Sequence, residues 1–160
     1  MVKPNQAAAL ENPLKRFLDA PGGISQDAAI QRATDSLEMI RHSAMEEIDS
    51  CLADIKALCT APNPTPQQRQ ALHERGNSLL GFAGMYDMPD LCTAAYSLCE
   101  LVDAMMMHGR WSAEAIHIHY DAMHKLREPH ALTAEERERL VTGLRKVTAR
   151  IGGLPPRFKT

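Results

Sequence analysis

One histidine stands in a glycine-rich stretch near the middle of the chain, ALHERGNSLLGFAGMYDMPDL, residues 71–91. Neutral imidazole is a good nucleophile near pH 7. His73 could accept a phosphoryl group without a pocket in this chain, provided that a docking partner supplies the metal ion and the carboxylates. The candidate chemistry at His73 is therefore phosphoryl transfer.

Three glycines follow His73 in a segment whose composition otherwise favours a helix. A glycine costs a helix about 1 kcal/mol relative to alanine, so this density of glycine needs a physical reason. On a helix of about 100° per residue, Gly76 falls on the apolar side, where close packing explains it. Gly81 and Gly84 fall with Asn77 on the opposite side, next to His73. This placement predicts an exposed stripe of bare backbone that another protein could approach closely.

The stretch resembles the active helix of histidine-containing phosphotransfer (HPt) domains, which are four-helix bundles that pass phosphoryl groups to the receiver domains of response regulators. The family pattern reads His-x-x-Lys-Gly-Ser/Ala, then glycine-rich residues, then a turn that often contains Leu-Pro-x-Leu. Aligned on the turn MPDL, residues 88–91, the first family glycine falls on Gly81 and a later small position on Gly84. The acceptor position is then Asn77, and the lysine position is Leu80. Since asparagine cannot carry a phosphoryl group, this register implies a pseudo-HPt domain that docks a receiver.

A second register resembles the phosphoacceptor box of histidine-kinase dimerisation helices, which reads His-Glu-x-x-Thr/Asn-Pro-Leu. His73 falls on the acceptor, Glu74 on the adjacent acid and Asn77 one turn later. Gly76 and Ser78 replace the usual arginine and proline. A kinase also needs an ATP-binding domain, but the chain contains no Gly-x-Gly. The resemblance therefore implies at most a phosphotransfer intermediate, with a histidine kinase as a second partner and no autonomous kinase activity.

The same features also fit a helix that has no docking role. The chain contains seven histidines, so one on an exposed helix face is unremarkable, and the glycines could mark a frayed helix end before Asp87. The alternative function is a structural or adaptor bundle that dimerises through a long helix over residues 25–60. A docking site should leave the surface around Asn77 and Gly81 exposed, whereas a purely structural bundle would bury it against a partner helix.

Other clusters carry less chemistry. His117 and His124 share a helix face while His119 points elsewhere, and only Asp121 stands near ligand spacing, so we expect a solvated face and no metal site. No nucleophile elbow or phosphate loop occurs, and we expect no cofactor.

The four cysteines lack Cys-x-x-Cys spacing and are expected to be small buried hydrophobes in a reducing compartment. They are Cys51, Cys59, Cys92 and Cys99.

Helix spacing dominates the chain, and the period-two pattern of strands is absent. An apolar stripe predicts a long helix from Ser25 to about Thr60. Four further helices are expected to begin at the capping signals Thr65, Pro89, Ser112 and Thr133. The prediction is an all-α fold, an up-and-down antiparallel four-helix bundle with a long first helix and an extra C-terminal helix.

We expect one bundle domain over residues 25–153, preceded by a mobile N-terminal arm at 1–24 and followed by a C-terminal tail at 154–160. The formal net charge of −2 argues against nucleic-acid binding. No apolar run reaches the ~18 residues of a membrane span. We therefore expect a cytoplasmic protein with neither a nucleic-acid nor a membrane partner.

The long first helix has more apolar surface than a bundle can cover. Its early stripe extends past what neighbouring helices of ~20 residues would bury, and an uncovered stripe usually binds a partner. The sequence therefore predicts a homodimer through the residues Ile30, Leu37, Ile40 and Ala44.

Overall fold

The computed structural model describes residues 23–61, 63–128 and 130–152. Within those ranges all of the regular secondary structure is α-helical. The helices are α1 Gln26–Cys59, α2 Pro66–Met85, α3 Pro89–His108, α4 Ala113–Leu126 and α5 Ala134–Gly152. The predicted all-α class is confirmed. None of these helices is both long and apolar enough to cross a membrane. The expected C-terminal tail, and the N-terminal arm apart from residues 23 and 24, lie outside the described ranges.

Local capping sets where the helices begin and end. Thr65 begins α2 in the predicted capping box: its hydroxyl accepts from the Gln68 N–H at 3.2 Å, and the Gln68 side chain accepts from the Thr65 N–H at 2.8 Å. Gly109 ends α3 with φ at 63°, a left-handed conformation that glycine adopts at little cost. Ser112 caps α4, and Thr133 begins α5 in a second capping box.

The chain divides into two compact units, residues 1–40 and 41–160, with the boundary inside α1. Of the first unit, the described part consists mainly of the beginning of α1. Every residue from Gln26 to Ile40 is exposed there except Ala29, which is half-buried. The exposed large apolar residues in this part are Ile24, Ile30, Leu37, Met39 and Ile40.

The described hydrophobic core lies in the second unit. α3 contributes more buried residues than any other described helix and packs against α2, α4 and α5. The end of α1 joins the same core through a line of buried residues from Ile48 to Cys59. Cys51, Cys59 and Cys99 are buried and Cys92 is half-buried, so the predicted packing role of the cysteines is largely confirmed.

Ion pairs also hold the end of α1 to its neighbours in the second unit. The Arg75 Nε of α2 lies 2.8 Å from a carboxylate oxygen of Asp54. Arg127, which follows α4, donates to both carboxylate oxygens of Asp49 at 2.8 and 3.1 Å. Partly exposed pairs of this kind stabilise a fold by less than about 1 kcal/mol each, so their main effect is to fix the register of α1 against α2 and α4.

Candidate functional site

α2 and α3 lie side by side and run in opposite directions. The backbone carbonyl of Leu80 lies 3.9 Å from Sγ of Cys92, and that of His73 lies 3.9 Å from Sγ of Cys99. Gly76 permits this approach, because a Cβ at Gly76 would lie only 2.8 Å from the Cys99 sulfur. The predicted packing role of this buried glycine is confirmed.

A strip of the α2 surface next to the contact with α3 is open to solvent. Asn77, Gly81 and Gly84 are all exposed. A Cβ at Gly81 would meet no atom within 4 Å, and one at Gly84 would only reach ordinary contact with the Cys92 sulfur at 4.0 Å. Neither glycine is required by packing within the described chain. Together the three residues form what we call the α2 stripe, where the backbone is accessible to another molecule.

Apolar side chains border the α2 stripe on both sides. Leu80 is half-buried on the side that faces α3, and Met85 is 68% exposed on the other side. Tyr96 of α3 is 37% exposed and follows Cys92 by one helical turn, on the side of α3 that contacts α2. Aromatic and methionine side chains are enriched in protein–protein interfaces relative to the rest of a protein surface.

His73 lies at the edge of the α2 stripe with both ring nitrogens occupied. The Asn77 amide nitrogen lies 3.0 Å from Nδ1, and a carboxylate oxygen of Asp103 on α3 lies 3.2 Å from Nε2. An amide nitrogen can only donate, so Nδ1 accepts, and the proton of the neutral ring is on Nε2, facing Asp103. The Cys99 thiol donates to the amide oxygen of Asn77 at 3.6 Å and thereby fixes the amide orientation.

The Cys99 thiol is suited to this donor role because it stays protonated. Burial, and secondarily the nearby Asp103 carboxylate, raise the pKa of Cys99 to about 11. The result is one polar chain, from the Cys99 thiol through the Asn77 amide and the His73 ring to the Asp103 carboxylate. We call these four residues the His73 chain.

Both ring nitrogens of His73 are engaged by neighbouring side chains in this arrangement. Attack on phosphorus needs a ring lone pair, but the Nδ1 lone pair accepts from Asn77 and Nε2 carries the proton. A phosphoryl group on Nε2 would also place about two negative charges beside the Asp103 carboxylate, a repulsive contact. His73 and Asn77 are the acceptor positions predicted by the two alternative registers. In the structure these two side chains are hydrogen-bonded to each other.

The remaining predicted site residues lie outside the His73 chain. Glu74 is exposed and accepts from the Gln70 side chain one turn earlier, at 3.0 Å. Leu80, at the lysine position of the HPt pattern, is an apolar side chain on the α3 side. The sequence does not identify Asp103 or Cys99 as partners of His73 and Asn77, because no spacing pattern on α3 distinguishes them. Their roles become visible only when α3 is packed against α2.

The prediction that His119 points away from the face shared by His117 and His124 is confirmed. His119 is fully buried: its Nδ1 lies 2.8 Å from the Ala115 carbonyl, and its Nε2 lies 3.0 Å from the Ser97 hydroxyl. The Thr148 hydroxyl of α5 lies 2.9 Å from the same Ser97 oxygen. Burial lowers the pKa of His119 to about 4, so the ring is neutral at pH 7. This network joins α3, α4 and α5 inside the core.

The other two histidines of α4 are exposed. His117 and His124 flank the Tyr120 ring, with ring centroids 6.1 and 5.9 Å from it. Within the three described ranges, no group of three or more His, Cys, Asp or Glu side chains could hold a metal ion.

Comparison of the chain with models of known protein families found no match, and a search of the curated proteins found no significant relative. The function is therefore inferred from the all-helical fold and from the chemistry of the α2 stripe and the His73 chain.

Proposed function

We propose that this protein is a docking module for the receiver domain of a response regulator, and that it binds the receiver without accepting its phosphoryl group. The observation that carries the proposal is the α2 stripe: Asn77, Gly81 and Gly84 are exposed, and Gly81 has open space beside it. In the register set by residues 88–91, Asn77 occupies the acceptor position of HPt domains. A purely structural bundle would bury this surface, whereas a docking surface leaves it exposed.

Two features support binding without transfer. His73 has no free lone pair, since Asn77 and Asp103 occupy its two nitrogens. Leu80 replaces the lysine that the HPt pattern places beside the acceptor, so no positive charge at that position would stabilise a transferred phosphoryl group. The protein would therefore act by occupying the receiver, and would compete with a histidine kinase or a true phosphotransfer protein for the same surface.

We also propose a topology and a location for the protein. The helices form an up-and-down antiparallel four-helix bundle, with α1 as the long first helix and α5 as the extra C-terminal helix. The proposal also places the protein in the cytoplasm, within a two-component pathway or phosphorelay. The protein itself needs no metal or cofactor for this role, because the receiver brings its own metal ion and carboxylates.

The direct experiment is titration calorimetry of the full chain against the purified receiver domains of its source genome, each in the unphosphorylated and phosphorylated states. We expect at least one receiver to bind with a dissociation constant in the micromolar range, typical of small transient interfaces. Absence of binding by every receiver in both states would contradict the proposal.

A further inference from the structure

The beginning of α1 presents an apolar surface that the described part of the chain leaves exposed. Ile30, Leu37 and Ile40 are 55%, 66% and 57% exposed, and Ala33 between them is exposed as well. Their spacings of three, four and three residues are those of the a and d positions of a heptad, with Ile30 and Leu37 at a and Ala33 and Ile40 at d. We call these four residues the α1 seam. The prediction that Ala44 belongs to the uncovered stripe is wrong, because Ala44 is buried in the second unit, so the α1 seam stops at Ile40.

Side-chain size favours one orientation for a pair of such seams. In an antiparallel pair, each a residue packs against a d residue of the other copy. Ile30 then meets Ile40 of the second copy, and Leu37 meets Ala33, so a large residue is present in every layer. A parallel pair would stack Ala33 on Ala33 and leave a gap in the middle of the seam, which close packing disfavours.

Charges beside the seam favour the same orientation. Asp27 and Arg41 both occupy e positions, on the residue after a d position. In an antiparallel pair, the e positions of one helix lie opposite the e positions of the other. Asp27 of each copy therefore faces Arg41 of the other copy. A parallel pair would place Arg41 opposite Ser36, with no charge partner. Neither Asp27 nor Arg41 forms an ion pair inside the described ranges, so both charges are available.

From this complementarity we infer that two copies of the chain associate through residues 27–41 of α1 as an antiparallel two-helix coiled coil. The occupant of the α1 seam is a second copy because the seam matches itself, in size and in charge, under a two-fold rotation. The inference goes beyond receiver docking and uses no residue of the α2 stripe or the His73 chain. Each of the two proposals can therefore fail while the other holds.

Sedimentation equilibrium of the full chain tests the association. We expect a dimer mass at tens of micromolar and a monomer mass for Leu37→Asp, because that substitution places a charge inside the apolar seam. Met39→Asp is the matched control: Met39 is also 66% exposed but lies off the seam, so its dimer should persist. Both sites face solvent, so circular dichroism should show intact helices. A monomer mass for the wild type at roughly 200 µM would overturn the inference, as would equal loss of the dimer in both variants.

Charge reversal tests the orientation. Asp27→Arg and Arg41→Asp should each weaken the dimer about tenfold, since each replaces two attractive contacts with two repulsive ones, and the double variant should return to within about threefold of the wild type. Dimer affinity unchanged in both single variants would overturn the antiparallel register.

Cysteine cross-linking tests the orientation a second way. Under mild oxidant, Ile30→Cys and Ile40→Cys proteins should form a disulfide-linked dimer when mixed, and neither should do so alone; the wild type measures the background from the native thiols. A linked dimer of Ile30→Cys alone would demonstrate parallel pairing and overturn the inference.

Discussion

A carboxylate oxygen of Asp103 on α3 lies 3.2 Å from Nε2 of His73 on α2. On the other side of the ring, Asn77 donates to Nδ1 at 3.0 Å. The imidazole is thus oriented by a neighbour on each nitrogen, one from its own helix and one from the next. This pairing fixes the orientation of the His73 ring beside the α2 stripe.

The tautomer of His73 is the first testable consequence. At pH 8 the neutral ring should carry its proton on Nε2, because Asn77 donates to Nδ1. Asn77→Ala removes that donor and should yield a mixture of the two tautomers. Nitrogen-15 NMR of ring-labelled histidine separates the two forms. A dominant Nδ1–H tautomer in the wild type would contradict the assigned hydrogen bonds.

Phosphoryl transfer gives the second prediction. A cognate receiver phosphorylated with radiolabelled phosphate should transfer no acid-labile label to this protein, since Asn77 cannot accept it and His73 lacks a free nitrogen. His73→Gln should still bind the same receiver and should also take no label. Acid-labile label on the wild type that disappears in His73→Gln would show that His73 accepts the phosphoryl group. That result would contradict binding without transfer, but it would be compatible with docking of the receiver.

The two kinds of glycine on α2 should respond oppositely to alanine. Gly76→Ala should lower the free energy of unfolding by about 1 kcal/mol, because the overpacking cost against Cys99 exceeds the gain in helix propensity. Gly81→Ala should raise it by about 0.5–1 kcal/mol, because the new methyl group meets open space. Urea denaturation measures both. Combining Gly76→Ala with Cys99→Ala should recover part of the loss, and additive losses would argue against a clash with the sulfur.

His119 predicts how stability depends on pH. Burial lowers its pKa in the folded state from the ordinary 6.5 to about 4. The folded state therefore binds fewer protons than the unfolded state between these two values, so stability is fully present above about pH 6.5 and falls as the pH falls toward 4. At pH 5 the loss attributable to this ring is about 2 kcal/mol relative to pH 7.5.

The control for this prediction is His119→Leu, which retains the contact between the hydroxyls of Ser97 and Thr148 at 2.9 Å. Urea unfolding should show that the free energy of unfolding of His119→Leu falls less between pH 7.5 and pH 5 than that of the wild type. The difference between the two losses should be about 2 kcal/mol. Equal losses in the two proteins would show that another group dominates the acid response.

Local patterns in the sequence predict most of the helical structure. The long first helix begins and ends within one residue of the predicted limits, and Thr65 and Ser112 cap the helices as expected. These features could be predicted because capping and helix periodicity depend on residues only a few positions apart. The open side of α2 at Gly81 follows from the same periodicity.

Relationships between helices could not be predicted in this way. The approach of Asp103 to His73 depends on the register of α3 against α2, which no local pattern specifies. His119 stands among other histidines, but its burial follows from the position of α4 between Ser97 of α3 and Thr148 of α5. A polar residue on an apolar helix stripe is the only signal that could have indicated a buried role.

Receiver binding by Gly81→Arg tests the docking proposal most directly. Arginine favours a helix more than glycine does, and the site is open, so the fold should be retained. The bulky side chain would block a receiver from approaching the α2 stripe. Gly143→Arg on α5 is the matched control, because a Cβ at Gly143 also meets nothing within 4 Å, at a position away from the stripe.

The measurement is titration calorimetry of both variants and the wild type against the same cognate receiver. The proposal predicts that Gly81→Arg weakens binding by at least about a hundredfold, a loss of about 2.7 kcal/mol, while Gly143→Arg binds as the wild type does. Wild-type affinity in a well-folded Gly81→Arg protein would contradict docking through the α2 stripe.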